Sequence, residues 1–351
     1  MSKLDKINNF DPNALGDANN NIYGLPFTTD EAEVVIIPVP WEVTVSYRAG
    51  AALGPQAVFE ASYQVDLFDP KIADVWKIGI AMEPVSDDIA SKSESLRRKS
   101  EIYLGLLGEG ESPETNGKME DIRKTIKAEC LKMNNWVKTK SLAYLDKNKI
   151  VALLGGDHST PLGLMQALAE KHNSFAILQI DAHADLRDAF EGFEFSHASI
   201  MFNAIKIPQV SKLVQVGIRD YCEFEYNLIK KSEGRIVAFF DRDIKNKQYE
   251  GAAWSGICND IISQLPDNVY LSFDIDGLDP KLCPNTGTPV AGGFEFEQVL
   301  ILIEKIVDSG KRIISFDINE IAPGGDEWDA NVGARLLYRI ANMVAKSNNR
   351  V

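Results

Sequence analysis

Residues Phe175–Asp185 read FAILQIDAHAD, a largely apolar run that leads directly into Asp181, His183 and Asp185. A run without regular polar alternation is typical of a parallel strand that helices cover on both faces. Ligands of open α/β sheets bind beyond the carboxyl ends of such strands. Because side chains at positions i and i+2 of an extended chain point to the same side, we expect these three residues to face one centre.

The same kind of run recurs along the chain and alternates with helical periodicity. The further predicted strands are rich in Val, Ile and Phe: Val34–Val39, Ile150–Leu154, Leu213–Val216, Ile236–Phe240, Val269–Phe273 and Ile313–Phe316. The predicted helices are Met119–Leu145, Thr160–Lys171, Phe296–Asp308 and Val332–Ala345. For the second of these helices we expect a cap from Ser159 or Thr160, with Pro161 in the first turn. Repeated alternation of strand and helix predicts an α/β fold with a mostly parallel sheet.

The chain of 351 residues is read as one domain over residues 1–351. Within it we expect an N-terminal extension over roughly residues 1–30 and a surface loop over roughly residues 105–118. The centre of that loop, Glu109–Asn116, reads EGESPETN, which is polar and rich in turn-forming residues.

Composition excludes several classes of function. Hydrophobic residues make up 45% of the chain, which is enough for a large core, and 37 basic against 51 acidic residues give a net charge of −14. Such a charge repels phosphate backbones, so we expect no nucleic-acid partner. No apolar run approaches the length of a membrane span, and no signal peptide is visible. The four cysteines are scattered, and we therefore expect a cytoplasmic protein without disulfides.

Three other predicted strands also end in polar residues. Gly155–Ser159 reads GGDHS, Asp274–Pro280 reads DIDGLDP, and Asp317 is followed by Glu320. Clustered carboxylates in a site of low dielectric are not stable without a cation, so the strand ends predict one or two divalent metal ions. A set of imidazoles and carboxylates without thiolates suits Mn²⁺ better than a structural zinc site.

These motifs resemble those of the ureohydrolase family, which comprises arginase, agmatinase and their relatives. The resemblance runs roughly from Val34 to Ala345. It is carried by Gly155–Ser159, Asp181–Asp185 and Ser272–Pro280, and by an early loop, Tyr47–Gly50 with Gly54-Pro55. It implies an α/β/α sandwich with a mainly parallel eight-stranded sheet, two Mn²⁺ ions per chain, and homotrimers or homohexamers.

The resemblance also implies a role for each site residue. One metal would be bound by His158 and Asp185 and the other by His183 and Asp276, with Asp181 and Asp274 bridging the pair. Asp185 would in addition orient the attacking hydroxide. His197 falls where the family keeps a proton-shuttling histidine, and Glu320 falls where it keeps the carboxylate that holds the guanidinium group of the substrate.

The implied reaction is hydrolysis of a guanidino group to urea and an amine. Agmatine, which would give putrescine in polyamine metabolism, is the favoured substrate, because Arg187 stands where arginase has an Asn. Arg187 could instead bind the carboxylate of a guanidino acid, or pair structurally with Asp188 or Glu191. Candidates for binding an ammonium tail are Asp188, Glu191 and Glu194. The alternatives that stay open are an arginase, a guanidinobutyrase or guanidinopropionase, a guanidine hydrolase, and a metal-bearing guanidine-binding protein without turnover.

Overall fold

Eight parallel strands form a single sheet in the computed structural model, which describes residues 1–351. Their bounds are β1 Val34–Val39, β2 Ile80–Met82, β3 Ile150–Gly155, β4 Phe175–Ile180, β5 Val210–Ile218, β6 Ile236–Phe240, β7 Asn268–Asp274 and β8 Arg312–Asn319. The order across the sheet is β2-β1-β3-β8-β7-β4-β5-β6. The carboxyl ends of β3, β8, β7 and β4 are therefore neighbours.

Eleven helices accompany the sheet. They are α1 Lys3–Asn9, α2 Gly54–Ala61, α3 Asp87–Gly108, α4 Gly117–Leu145, α5 Leu162–Lys171, α6 Ile200–Ala204, α7 Glu223–Lys231, α8 Asp241–Tyr249, α9 Trp254–Ser263, α10 Phe296–Asp308 and α11 Trp328–Ser347. None of them is long and apolar enough to cross a lipid bilayer.

Two hydrophobic cores lie on opposite faces of the sheet. Val34 and Ile36 of β1 pack into a core of 56 buried residues that includes much of α9, α10 and α11. Val35 and Ile37, the alternate residues of the same strand, pack into a core of 37 buried residues that includes the buried faces of α4 and α5. Both faces of the strand are buried because helices cover both sides of a parallel sheet. This arrangement confirms the predicted three-layer α/β/α sandwich.

The predicted strands are all present, within a few residues at each end. The strand missing from the prediction is β2, whose three residues are too few to form a recognisable pattern. The predicted cap of α5 was wrong. The helix begins at Leu162 without a side-chain cap. The hydroxyl groups of Ser159 and Thr160 are engaged elsewhere: Ser159 donates to the Asp157 carboxylate, and Thr160 donates to Asn319 Oδ1 at 2.8 Å.

Candidate metal centre and active site

The six predicted ligands meet at the carboxyl ends of β3, β4 and β7. His158 follows β3, and its Nδ1 atom faces three carboxylate oxygens. It lies 3.0 Å from Asp181 Oδ2 and 3.2 Å from both Asp185 Oδ2 and Asp274 Oδ2. All four side chains are buried. One nitrogen and three oxygens therefore converge on a single point.

A second group of ligands shares Asp181 with the first. His183 Nδ1 lies 2.9 Å from Asp276 Oδ2 and 3.7 Å from Asp181 Oδ1. The other oxygen of Asp181 is the one that faces His158. The geometry thus contains two neighbouring groups of possible ligands, His158–Asp181–Asp185 and Asp181–His183–Asp276, joined by one carboxylate.

Short turns, and not an extended chain, bring residues i and i+2 together. The expectation of extended backbone was wrong both for Asp181–Asp185 and for Asp274–Asp276. Asp276 lies in a 3₁₀ turn, and its N–H donates to Asp274 Oδ1 at 2.9 Å. The N–H of His183 donates to Asp181 Oδ1 at 2.6 Å, and Asp185 adopts a positive φ of 53°. An Asp side chain that accepts from the backbone two residues on stabilises such a turn.

Two glycines of the motifs are required by close packing around these turns. A Cβ atom at Gly156 would lie 2.1 Å from the carbonyl oxygen of Trp41, and one at Gly277 would lie 2.9 Å from the backbone nitrogen of Asp181. Neither distance is compatible with a side chain. The ligand-bearing turns therefore approach their neighbouring strands closely because these positions carry no side chain.

The electrostatics of the cluster fit a divalent metal. No Lys or Arg side chain forms an ion pair with Asp181, Asp185, Asp274 or Asp276. Burial and the neighbouring charge of Asp181 raise the pKa of Asp185 to about 7, and burial also raises the pKa of Asp274. His158 Nδ1 is buried and has no hydrogen-bond partner. Oxygen-rich sites with imidazole and without thiolate suit hard to borderline divalent ions.

The carboxylates of the cluster raise the pKa of both of its imidazoles. Burial disfavours the charged form of His158, but the nearby carboxylates of Asp181, Asp185 and Asp274 outweigh it and raise the pKa well above its usual value. The pKa of His183 is raised in the same way, chiefly through Asp276 and Asp181. A proton on each ring partly supplies the positive charge that a metal ion would bring.

Glu320 lies at the end of β8, beside the turn that carries His158. It adopts a positive φ of 64°, and its N–H donates to the carbonyl oxygen of Gly156 at 2.8 Å. Its Oε1 atom accepts from the backbone N–H of His158 at 2.9 Å. Burial, and secondly the charge of Asp157, raise the pKa of the Glu320 carboxyl well above its usual value. No cationic side chain is paired with Glu320.

A cleft of about 180 Å³ opens beside the cluster. Its lining residues are Ser46, His183, Asp185, Arg187, Phe190, His197, Ala198, Asp220, Tyr221, Glu225 and Thr288. Glu320 is not among them. A larger cavity, of about 830 Å³, lies near the N-terminal segment and contains none of the predicted site residues.

His197 begins a short 3₁₀ turn and lines this cleft together with two of the predicted metal ligands. Its ring meets the ring of Phe190 edge to face, with 6.0 Å between centroids, and its Nδ1 atom lies 3.3 Å from Ser196 Oγ. Burial and the positive charges of His183 and His158 lower the pKa of His197 to about 3. The imidazole is therefore neutral near pH 7.

Arg187 is engaged by an acidic residue that the sequence analysis missed. Its Nε atom lies 3.2 Å from Oε2 of the buried Glu225, and its guanidinium lies over the ring of Phe190. Glu225 also accepts from the backbone N–H groups of Leu186 and Cys222, at 2.9 and 2.8 Å. Of the two interpretations of Arg187, the structural pairing is present, but its partner is neither Asp188 nor Glu191.

The acidic residues proposed for binding an ammonium tail do not line the cleft. Asp188 is exposed, Glu191 lies outside the lining, and Glu194 pairs with Lys127. Apart from the predicted ligand Asp185, the acids in the cleft are Glu225 and Asp220, and of these two only Asp220 lacks a Lys or Arg partner. Asp220 comes two residues after the end of β5. The strand-end rule that predicted the metal ligands could therefore also have pointed to Asp220.

Comparisons with known proteins agree with this fold. The model of the Arginase family matches residues 32–342. The N(1)-aminopropylagmatine ureohydrolase of Thermus thermophilus is 31% identical over 309 residues, which cover 88% of this chain and 89% of that protein. The agmatinase of Neisseria meningitidis is 27% identical over 319 residues, covering 88% and 87%. The crystal structure of agmatine ureohydrolase from Thermoplasma volcanium has a TM-score of 0.69 at 21% identity, covering 99% of each chain.

The class defined by the sheet and by the family match is therefore clear, and the chain belongs to the arginase family. Within that family it is a ureohydrolase whose relatives include agmatinases and aminopropylagmatine ureohydrolases. The family resemblance predicted from the sequence motifs is confirmed.

Proposed function

We propose that this ureohydrolase uses two Mn²⁺ ions to hydrolyse the guanidino group of agmatine or of an agmatine bearing a further amine, releasing urea and an amine. The observation that carries the proposal is the convergence of four buried carboxylates and two imidazole Nδ1 atoms without a Lys or Arg to neutralise them. As in the sequence analysis, we further propose that the protein acts in the cytoplasm as a homotrimer or homohexamer.

Each ion would be held by one imidazole and by carboxylates. His158 and Asp185 would bind one ion and His183 and Asp276 the other, with Asp181 and Asp274 shared between them. Two bound divalent ions lower the pKa of a shared water molecule and orient it for attack. Asp185 reaches both the cluster and the cleft, and would hold that water in line with the substrate.

Glu320 would hold the guanidinium head of the substrate. It is a buried carboxylate without a cationic partner, and its position is fixed by the hydrogen bond from the backbone of His158. A planar guanidinium binds a carboxylate through two parallel charge-assisted hydrogen bonds. Since Glu320 lies outside the lining of the cleft, the guanidinium head of the substrate would lie on the Glu320 side of the metal cluster. The tail of the substrate would lie in the cleft.

His197 would move the proton that the leaving amine requires. An amine leaves the tetrahedral centre only when it is protonated. The imidazole of His197, which lies in the cleft beside His183 and Asp185, would carry a proton from the attacking water to the leaving amine.

The charges in the cleft favour a cationic tail. The Nε atom of Arg187 is paired with Glu225, which offsets the positive charge of Arg187 in the cleft. The Asp220 side chain is 67% exposed and has no Lys or Arg partner, and the ring of Tyr221 lies beside it in the lining. A carboxylate next to an aromatic ring suits an ammonium group. This argues against guanidinobutyrate, guanidinopropionate and arginine, whose tails carry a carboxylate.

A urea-release assay with Mn²⁺ tests the proposal directly. The compounds to compare are agmatine, N(1)-aminopropylagmatine, arginine, 4-guanidinobutyrate, 3-guanidinopropionate and guanidine. We expect the highest kcat/KM with a compound that has a cationic tail and no carboxylate. Chelator-treated protein and the Glu320→Gln variant serve as inactive controls. Binding of these compounds without urea release would favour the non-enzymatic alternative, and preference for a guanidino acid would contradict the assignment of Arg187.

A further inference from the structure

We infer that a buried chain of hydrogen bonds, Asp317–Ser272–His158, positions His158 by holding the proton of its ring on Nε2 and leaving Nδ1 free to bind a cation. The inference rests on the proposed function to the extent that it takes His158 to be a metal ligand. Asp317 and Ser272 touch neither the proposed substrate cleft nor the other ligands of the cluster, so we assign them a positioning role.

Asp317, at one end of this hydrogen-bond chain, determines which group donates in each bond. Asp317 accepts hydrogen bonds from the phenol of Tyr270 on Oδ2 and from the amide of Asn319 on Oδ1. Ser272 Oγ lies 3.0 Å from the same Oδ1 atom. A carboxylate surrounded by donors acts only as an acceptor, so the hydroxyl of Ser272 must donate its proton to Asp317.

This assignment determines the tautomer of His158. The ring Nε2 atom lies 2.9 Å from Ser272 Oγ. Because the only proton of the Ser272 hydroxyl is directed to Asp317, its oxygen can only accept, and His158 must donate from Nε2. A neutral imidazole with its proton on Nε2 has a lone pair on Nδ1. That is the atom on which the oxygens of Asp181, Asp185 and Asp274 converge.

The residues of this hydrogen-bond chain lie on two neighbouring strands of the sheet. Ser272 of β7 and Asp317 of β8 are direct partners in the parallel register of the two strands. Tyr270 is on the same strand as Ser272, and none of the three side chains has measurable exposure to solvent. Some hydrogen-bond partners fix the orientation and tautomer of a histidine that binds a metal. Removing such a partner typically lowers metal affinity by about 10- to 100-fold.

The other histidine of the cluster has no such support. The Nε2 atom of His183 is 3.9 Å from Asp220 Oδ2, which is beyond hydrogen-bond distance, and the ring is partly exposed. The chain behind His158 is therefore specific to one of the two proposed metal positions. Disrupting it should weaken one metal and spare the other.

Ser272→Ala tests this inference through metal binding. We expect Mn²⁺ titration followed by electron paramagnetic resonance to show one binding step weakened about 10- to 100-fold and the other unchanged. Ser315→Ala is the matched control, because Ser315 is an equally buried serine of β8 whose hydroxyl donates to the carbonyl oxygen of Val151 and has no link to His158. Tyr270→Phe, which keeps the ring, should cause a smaller loss in the same step.

A second measurement reads the proton itself. In protein labelled with ¹⁵N-histidine and loaded with Zn²⁺ as a diamagnetic probe, we expect one slowly exchanging imidazole Nε2–H signal that is lost in Ser272→Ala and kept in Ser315→Ala. The chain has four histidines, so the assignment is feasible.

The possible failures can be told apart. If wild-type protein binds two Mn²⁺ ions and releases urea while Ser272→Ala binds both ions with native affinity, the positioning role is overturned and the proposed function stands. If wild-type protein binds no metal, both are overturned. If Ser272→Ala does not fold, the absence of a slowly exchanging Nε2–H signal in wild-type protein would overturn the positioning role.

Discussion

The backbone N–H of His158 donates to Glu320 Oε1 across 2.9 Å, although 162 residues separate the two in the chain. This bond ties the turn that carries a proposed metal ligand to the carboxylate proposed to hold the substrate. Since Glu320 is also fixed through its own N–H to Gly156, the two functions share one rigid corner of the site. A change in the charge of Glu320 can therefore be separated from a change in its position.

Glu320→Gln should abolish turnover while leaving metal content nearly unchanged. The amide oxygen can still accept from His158, but it lacks the charge that would hold a guanidinium. We expect a loss of at least about 10²-fold in kcat/KM, on the order seen for other groups that bind developing or fixed charge at an active site. Urea release and metal analysis on the same sample give the two readings. Near-normal activity would remove Glu320 from substrate binding.

His183→Ala should keep the fold and lose one metal. The side chain is partly exposed and lies outside both cores, so its removal leaves little cavity. The imidazole supplies the only nitrogen of its ligand group, and Asp276 with the shared carboxylates would hold the second ion weakly. Metal analysis after dialysis should give about one ion per chain in place of two. Two retained ions would contradict the assignment of His183.

His197→Ala should slow turnover far more than it weakens metal binding. The ring lies in the cleft and packs against Phe190, and it contacts none of the carboxylates of the cluster. Loss of a proton-transferring group typically lowers kcat by about 10²- to 10⁴-fold. Rescue by added imidazole would support the role, and loss of metal in the variant would instead make His197 a ligand.

Asp220→Asn should raise KM for a substrate with a cationic tail and leave KM for guanidine unchanged. An exposed ion pair is worth roughly 1 kcal/mol or less, so we expect an effect of a few-fold. Comparison of agmatine with guanidine in the same variant separates the tail from the head. Equal effects on both compounds would place Asp220 elsewhere in the mechanism.

Metal affinity should fall as the pH is lowered. The carboxylates raise the pKa of His158 and of His183 above the usual value near 6.5, so a metal ion must displace a proton from each ring. Affinity should change about tenfold per pH unit for each proton released, and calorimetry in buffers of different ionisation enthalpy counts those protons. A pH-independent affinity would contradict this competition.

The same pKa shifts predict different pH dependences of stability with and without metal. In metal-free protein, a raised histidine pKa contributes stability that is fully present below the unfolded pKa of about 6.5 and is lost as the pH rises through the folded value. With saturating Mn²⁺ the metal replaces that proton, so stability should rise as the pH increases to about 6.5 and then stay level, because tighter binding offsets the loss seen without metal. Thermal unfolding at several pH values, with and without chelator, would show whether the two curves diverge.

Much of the fold and of the proposed metal cluster could be predicted from the sequence. Strands buried on both faces are apolar throughout, as in Val34–Val39, and polar residues that follow them mark the carboxyl edge of the sheet. The three-residue strand Ile80–Met82 was missed because it is too short to carry a pattern. The turns at Asp181 and Asp274 were predicted as extended backbone because alternation alone cannot reveal an aspartate that bonds to its own chain.

The contacts of the cleft were beyond sequence reasoning because they join distant parts of the chain. Arg187 is followed closely by acidic residues, and its true partner, Glu225, lies on a helix that follows the next strand along the chain. The same holds for Asp317 and His158, which are connected only through Ser272 on a third strand. Periodicity reports which face of an element is buried, but it does not report which side chains meet.

The placement of β8 has a consequence for biosynthesis. This strand is the last to leave the ribosome, yet it lies between β3 and β7 in the finished sheet. Until it inserts, the turn bearing His158 and the turn bearing Asp274 and Asp276 belong to separate halves. A nascent or prematurely terminated polypeptide that lacks this strand therefore cannot bring His158 to the carboxylates at the ends of β4 and β7.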